Sequence, residues 1–299
     1  MLIGLCYHGV HKSDAIQFNS SGKHLPVAEF QNQMEILRRK HRVLSVDELY
    51  EVVRHGKFIE KDFVFITFDD GYLNNFTIAS EVLEEFRLPA TLFVATDYIG
   101  NSEHIWTDTL EDFFMLAPFD IILSFAKEST PELKFDNTDR ITRFNQTRKY
   151  LKTLSVAERD ILLNRLPKKL VIHEEICSEF HAFLDWENLN QMKSSGLWSF
   201  GSHTATHNPL TKLENNEVRQ EVSSSFEILE VRKLVNDNRY FAYPEGQPED
   251  LSERTREILL QQNVLLAFSA HKHSKNPKEV DRLALERILV GFEKTVFPF

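Results

Sequence analysis

Short runs of β-branched and aromatic residues alternate along this chain with segments of helical periodicity. Repeated alternation of this kind calls for parallel strands joined by helical crossovers. The apolar runs at 2–7, 63–68, 90–95, 197–202, 239–243, 264–269 and 287–290 read as buried strands. Between them, apolar residues recur at three- and four-residue spacing. Examples are Phe30, Met34 and Leu37 in 27–41, and Val218, Val222, Phe226 and Leu229 in 214–234. Ala79, Val82, Leu83 and Phe86 give another helix, with Pro89 as its stop. Ser45 begins a further helix, with Glu48 completing a capping box, and others are expected at 186–195 and 249–262. The rhythm breaks at 100–184, a charged stretch without strand patterning whose clearest helices lie at 141–153 and 156–166. The expected fold is α/β: one irregular (β/α) barrel domain over 1–299, carrying a helical insertion at 100–184.

Composition removes several function classes. A formal net charge of −10 argues against a nucleic-acid or anionic-membrane partner, and leaves a neutral or cationic substrate such as a sugar polymer open. No apolar run approaches the roughly 20 residues of a membrane span. The apolar stretch 1–6 lacks a basic start and runs directly into Tyr7-His8, so it reads as a first strand and not as a signal peptide. The expected location is therefore cytoplasmic. Cys6 and Cys177 suit neither a disulfide framework nor a zinc knuckle.

Two polar clusters at predicted strand ends carry the chemistry. Thr67-Phe68-Asp69-Asp70-Gly71 follows the run 63–66, and Ser202-His203-Thr204-Ala205-Thr206-His207 follows Trp198-Ser199-Phe200. Parallel α/β folds place their active residues at such ends. His203 and His207 are four apart, which on a helical turn puts both rings on one face. With Asp70 they make a three-donor metal set that leaves positions for water and substrate. Asp69 is then free to act as a base, and Gly71 permits the sharp turn that points both acids inward. Read singly, an Asp-Asp-Gly is also an ordinary turn, and an HxxxH pair also occurs on helix surfaces. Their joint placement favours a site.

The flanking residues resemble those of the polysaccharide deacetylases, the family-four carbohydrate esterases. Phe65-Ile66-Thr67-Phe68-Asp69-Asp70-Gly71 is similar to that family's first motif, and 201–210, Gly-Ser-His-Thr-Ala-Thr-His-Asn-Pro-Leu, to its second. Phe241-Ala242-Tyr243-Pro244-Glu245-Gly246 resembles the third, and Tyr7-His8 a pair found on the first strand of many members. The resemblance covers roughly 1–100 and 185–290. It implies a deformed (β/α) barrel and metal-dependent removal of acetyl groups from N- or O-acetylated sugars, in surface polysaccharide or glycoconjugate synthesis. The implied ion is zinc, with cobalt or nickel as alternatives. Asp69 maps to the base, Asp70, His203 and His207 to the ligands, and His8 to the active-site wall as a second catalytic candidate. Deacylation of a non-sugar amide, or carbohydrate binding without catalysis, are the competing readings. The oligomeric state stays open.

Three positions depart from that pattern. The arginine that often pairs with the base is replaced by Ala242, and Arg287 is a candidate substitute. The usual late histidine that protonates the amine has no clear counterpart; His271 and His273 are nearby candidates. Glu245 stands where an aromatic residue is common. Tyr243, Pro244, Trp106, Asp108 and Arg287 are expected on the substrate side, and Trp186 at a helix start.

Overall fold

A computed structural model describes residues 2–14, 16–55, 63–129, 139–166, 179–271, 280–292 and 297–298. The strands are β1 (Leu2–Tyr7), β2 (Gly9–His11), β3 (His24–Pro26), β4 (Arg42–Val43), β5 (Phe63–Phe68), β6 (Ala90–Val94), β7 (Trp198–Ser202), β8 (Arg239–Ala242), β9 (Val264–Phe268) and β10 (Arg287–Leu289). Eight of them form a parallel sheet in the order β10-β1-β5-β6-β7-β8-β9, with β4 also on β5. The sheet curls until its two edges share one segment. Leu285, just ahead of β10, bridges Phe268 of β9, while Arg287 pairs with Gly4 of β1. The result is the expected irregular (β/α) barrel.

Burial explains why the strands are nearly continuous apolar runs, since a parallel sheet covered on both faces has no polar side. Every residue of β5 and β6 is buried. Alternate residues of β5 divide between two cores: Val64, Ile66 and Phe68 face the outer helices, whereas Phe63 and Phe65 join Phe93, Leu266 and Phe268 inside the barrel. The helices α1 (Val27–Lys40), α2 (Val46–His55) and α3 (Ser80–Phe86) cover the first half. Between β6 and β7 come α4 (Trp106–Leu116), α5 (Phe119–Ser129), α6 (Arg140–Leu151) and α7 (Val156–Leu163). The order ends with α8 (Trp186–Ser194), α9 (Asn215–Val231) and α10 (Glu253–Gln261). Ser45 and Glu48 exchange the two bonds of the expected capping box. Trp186 opens α8 behind the cap Asp185. Among the described residues, no helix is long and apolar enough to cross a membrane.

Two features were not readable from pattern. β2 and β3 are three residues each and pair in parallel from Gly9 to His24, too short to show a period. The helix expected from Ala79 begins earlier, as a π turn at Asn75–Ala79. Ser80 Oγ donates to the Asn75 carbonyl at 3.0 Å and receives Trp198 Nε1 at 3.0 Å. That wider turn brings Asn75 Nδ2 within 2.8 Å of the His8 carbonyl, tying the π turn to the first strand's end. Cys177 and His273 lie outside the described residues.

Candidate active site

The C-terminal ends of β5 and β7 hold the two polar clusters side by side. Asp69 follows β5 and donates its N–H to the Tyr7 carbonyl at 3.0 Å. Asp70 then turns to φ +74°, a left-handed conformation that only a constrained non-glycine residue adopts, and Gly71 follows at φ +107°. The chain thereby reverses beneath the two carboxylates, and the Asp70 and Gly71 carbonyls are taken by Ala95 and Leu184 N–H groups.

After β7 the structure corrects one expectation. His203 and His207 do not sit on a helical turn: the segment is an irregular loop with Thr204 at φ +67° and His207 at φ +57°. Buried Glu221, on α9, shapes it. One of its carboxylate oxygens accepts the Ala205 and Thr206 N–H groups at 3.0 and 2.9 Å, and the other accepts the Thr206 hydroxyl at 2.6 Å. His207 N–H donates to Thr204 Oγ1 at 3.0 Å, closing the turn. Glu221 was missed in the sequence. Its signal was a carboxylate flanking Val222 and Val218 on the apolar face of α9.

Asp70, His203 and His207 offer donor atoms that all lie within 4.8 Å of one another. His203 Nδ1 faces the Ala242 carbonyl at 2.8 Å, which fixes its proton there and leaves Nε2 as a lone pair. That lone pair lies 3.4 Å from Asp70 Oδ1, and His207 Nε2 lies 3.2 Å from the same oxygen. Asp70 Oδ1 is buried and takes no hydrogen bond. Two imidazole nitrogens and a carboxylate oxygen converging in a buried place are a donor set that fits a divalent ion.

Asp69 has a different environment. Arg287 grips it with two bonds of 2.7 Å, Nη1 to Oδ1 and Nη2 to Oδ2. Arg287 also donates to Thr67 Oγ1 and the Ser269 carbonyl, and Cys6 Sγ approaches Asp69 Oδ2 at 3.3 Å. Burial alone would push the Asp69 carboxyl up. The Arg287 charge outweighs it and holds the group below the usual carboxylate range.

A cavity of about 350 Å³ opens on these groups. His8 lines it, with Nε2 3.9 Å from Asp70 Oδ2 and its ring 4.7 Å from that of Phe292. Asp108 also lines it, but its carboxylate is occupied by Lys23 Nζ and by Tyr72 OH. Tyr243 reaches the wall while its hydroxyl turns away to the Leu283 carbonyl. Three residues expected on the substrate side lie off the cavity lining. Trp106 is buried under Arg159, Pro244 is buried in its turn, and Arg287 is fully buried behind Asp69. His271 directs Nδ1 at the Gly246 carbonyl, also off the lining.

A second donor group, His104, Asp112 and His181, lies near Glu111 at the cavity edge. Ion pairing of His181 and His104 with these carboxylates accounts for it. His181 is fully buried, with Nδ1 2.9 Å from Asp112 and Nε2 3.4 Å from Glu111. Burial alone would lower its pKa. Asp108, Asp112 and Glu111 outweigh that and push it up to about 9. A folded pKa above the ordinary 6.5 gives stability that is complete below pH 6.5 and lost as pH rises through about 9. Thermal melts across that window should therefore show a falling melting temperature, with a flatter slope in His181→Gln. Equal slopes would contradict the charged His181.

The polysaccharide deacetylase family model matches residues 58–264, more than half of the chain. The chain belongs to the polysaccharide deacetylase family. It is 27% identical over 109 residues to YxkH of Bacillus subtilis (strain 168), which carries a polysaccharide deacetylase name. That match covers 36% of this chain and 37% of YxkH's length. Solved structures share the fold of this family member. The Streptococcus pyogenes deacetylase PplD, in complex with acetate, superposes with a TM-score of 0.61 at 17% identity, covering 96% of this chain and 91% of PplD. IcaB from Ammonifex degensii gives 0.62 at 20% identity, covering 97% and 91%.

Proposed function

We propose that this family member is a metal-dependent hydrolase that removes acetyl groups from N-acetylated or O-acetylated sugars, in surface polysaccharide or glycoconjugate synthesis. The observation that carries the reading is the geometry around Asp69: a carboxylate locked by Arg287 stands directly beside the converging donor atoms of Asp70, His203 and His207.

Asp70, His203 and His207 would hold the ion, zinc by the mix of imidazole and carboxylate donors, with cobalt or nickel as substitutes. When bound, a divalent cation supplies Lewis acidity, polarising an acyl carbonyl and lowering the pKa of water towards about 7. The chain's own groups do the rest. Asp69 accepts the proton of the attacking water, and Arg287 keeps both its oxygens fixed while it does so. The Ala242 carbonyl holds the His203 tautomer that leaves Nε2 available. His8 lines the cavity with Nε2 3.9 Å from Asp70 Oδ2, which supports assigning it the task of handing a proton to the departing amine.

Acetate release tests this directly. The chain would be stripped with a chelator, reloaded with zinc, cobalt or nickel, and offered N-acetylated and O-acetylated sugars. Release that stops on stripping and returns on reloading is expected. Metal-independent release, or none from any sugar with metal bound, would overturn the reading.

A further inference from the structure

The crossover from β6 to β7 does more than connect two neighbouring strands: it is attached to the barrel at three places around the cavity. Lys23, ahead of β3, forms an ion pair with Asp108 of α4. Arg159 of α7 donates through Nη2 to Asn208 Oδ1 at 2.9 Å, just beyond the His207 ligand position. Lys152, at the end of α6, reaches Glu245 Oε2 at 2.6 Å, in the segment that follows β8. Lys23, Asp108, Lys152 and Glu245 all line the cavity, and Phe292 beyond β10 lines it as well. Among the described residues, the lining thus draws on the segment ahead of β3, the crossover, the turn after β8 and the segment after β10.

The Glu245 side of this perimeter is set by backbone. Glu245 adopts φ +61° and Gly246 φ +64°. A Cβ on Gly246 would come within 2.7 Å of the Ala270 nitrogen, so the turn is pressed against the chain after β9 and holds Glu245 upright. The Lys152–Glu245 ion pair itself is partly exposed and adds little stability. Its effect is to fill the gap between α6 and that turn. The remaining space, about 350 Å³, is at the small end of ligand pockets, which run from roughly 300 to 1,000 Å³.

We propose that the β6–β7 crossover, closed against Glu245 by Lys152, restricts this site to the end of a glycan or to a short acetylated saccharide, and excludes the interior sugars of a long chain. The inference rests on the deacetylase reading and goes beyond it, naming the substrate's length class. A polymer lying across the site would have to pass through the Lys152–Glu245 contact at one side or the Lys23–Asp108 contact at the other.

The test uses the metal-loaded full chain with N-acetylglucosamine oligomers from dimer to hexamer, mapping the deacetylated position by mass spectrometry. Deacetylation only at a chain end is expected, with kcat/KM that does not rise beyond the dimer. Lys152→Ala should raise the hexamer-to-dimer ratio of kcat/KM by at least about 5-fold, as contacts with added sugars become accessible. Interior deacetylation, a ratio that already rises with length in the unaltered protein, or no change in Lys152→Ala would overturn the proposal. If no oligomer yields acetate, the deacetylase reading is what fails on these sugars, and calorimetric binding to metal-loaded Asp69→Asn decides the length question. Affinity that stops growing at the dimer supports the proposal, whereas affinity that grows to the hexamer, or no binding at any length, overturns it.

Discussion

Arg287→Met should lower the free energy of unfolding of the metal-free protein by about 3–5 kcal/mol. Asp69 is 2% exposed and Arg287 is fully buried, so neither charge can turn to water when its partner is removed. Methionine fills much of the arginine's volume, which confines the loss to the unpaired Asp69 carboxylate and to the Thr67 and Ser269 oxygens that lose a donor. Adding Asp69→Asn to the same background removes the stranded charge and should recover most of the loss. Urea unfolding of the four proteins completes the cycle. A loss below about 1 kcal/mol, the range of exposed ion pairs, would show that the pair is wetter than its burial implies.

Asp69→Asn alone should reduce kcat/KM for acetate release by about 100- to 10,000-fold, the usual contribution of a general base. Its metal content should stay at that of the unaltered protein, because Asp69 is not one of the three converging donors. His203→Ala should lose activity and metal together. Metal analysis alongside the rate separates the two roles. If Asp69→Asn lost its metal as well, Asp69 would be a ligand and the division between base and donor set would be wrong.

Much of this arrangement was legible in the chain. Asp69, Asp70, His203 and His207 follow apolar runs, and in a parallel sheet the ends of such runs meet on one side of the barrel. The conformation that brings them together was not legible. The four-residue spacing of His203 and His207 suggested a helical turn, but Thr204 and His207 take left-handed dihedrals and Glu221 pins the loop from a helix further along the chain. Spacing alone cannot distinguish these cases, since both put the rings on one side. Arg287 was visible as a candidate for the missing partner of Asp69. The two lie 218 positions apart and meet only because the sheet curls until β10 lies beside β1. Trp106 shows the opposite limit. An indole at the start of the crossover suits a sugar face or a helix core equally well, and the ring packs under Arg159. Lys23 gave no signal at all, because β3 is too short for its register to be read.

The most direct test of the account is the position of the ion itself, from anomalous scattering by crystals of the zinc-loaded protein. The account predicts one strong peak per chain, bonded to Asp70, His203 Nε2 and His207, with Asp69 beside it and held by Arg287. A peak at His104, Asp112 and His181 instead, or none at the ends of β5 and β7 under saturating zinc, would contradict it.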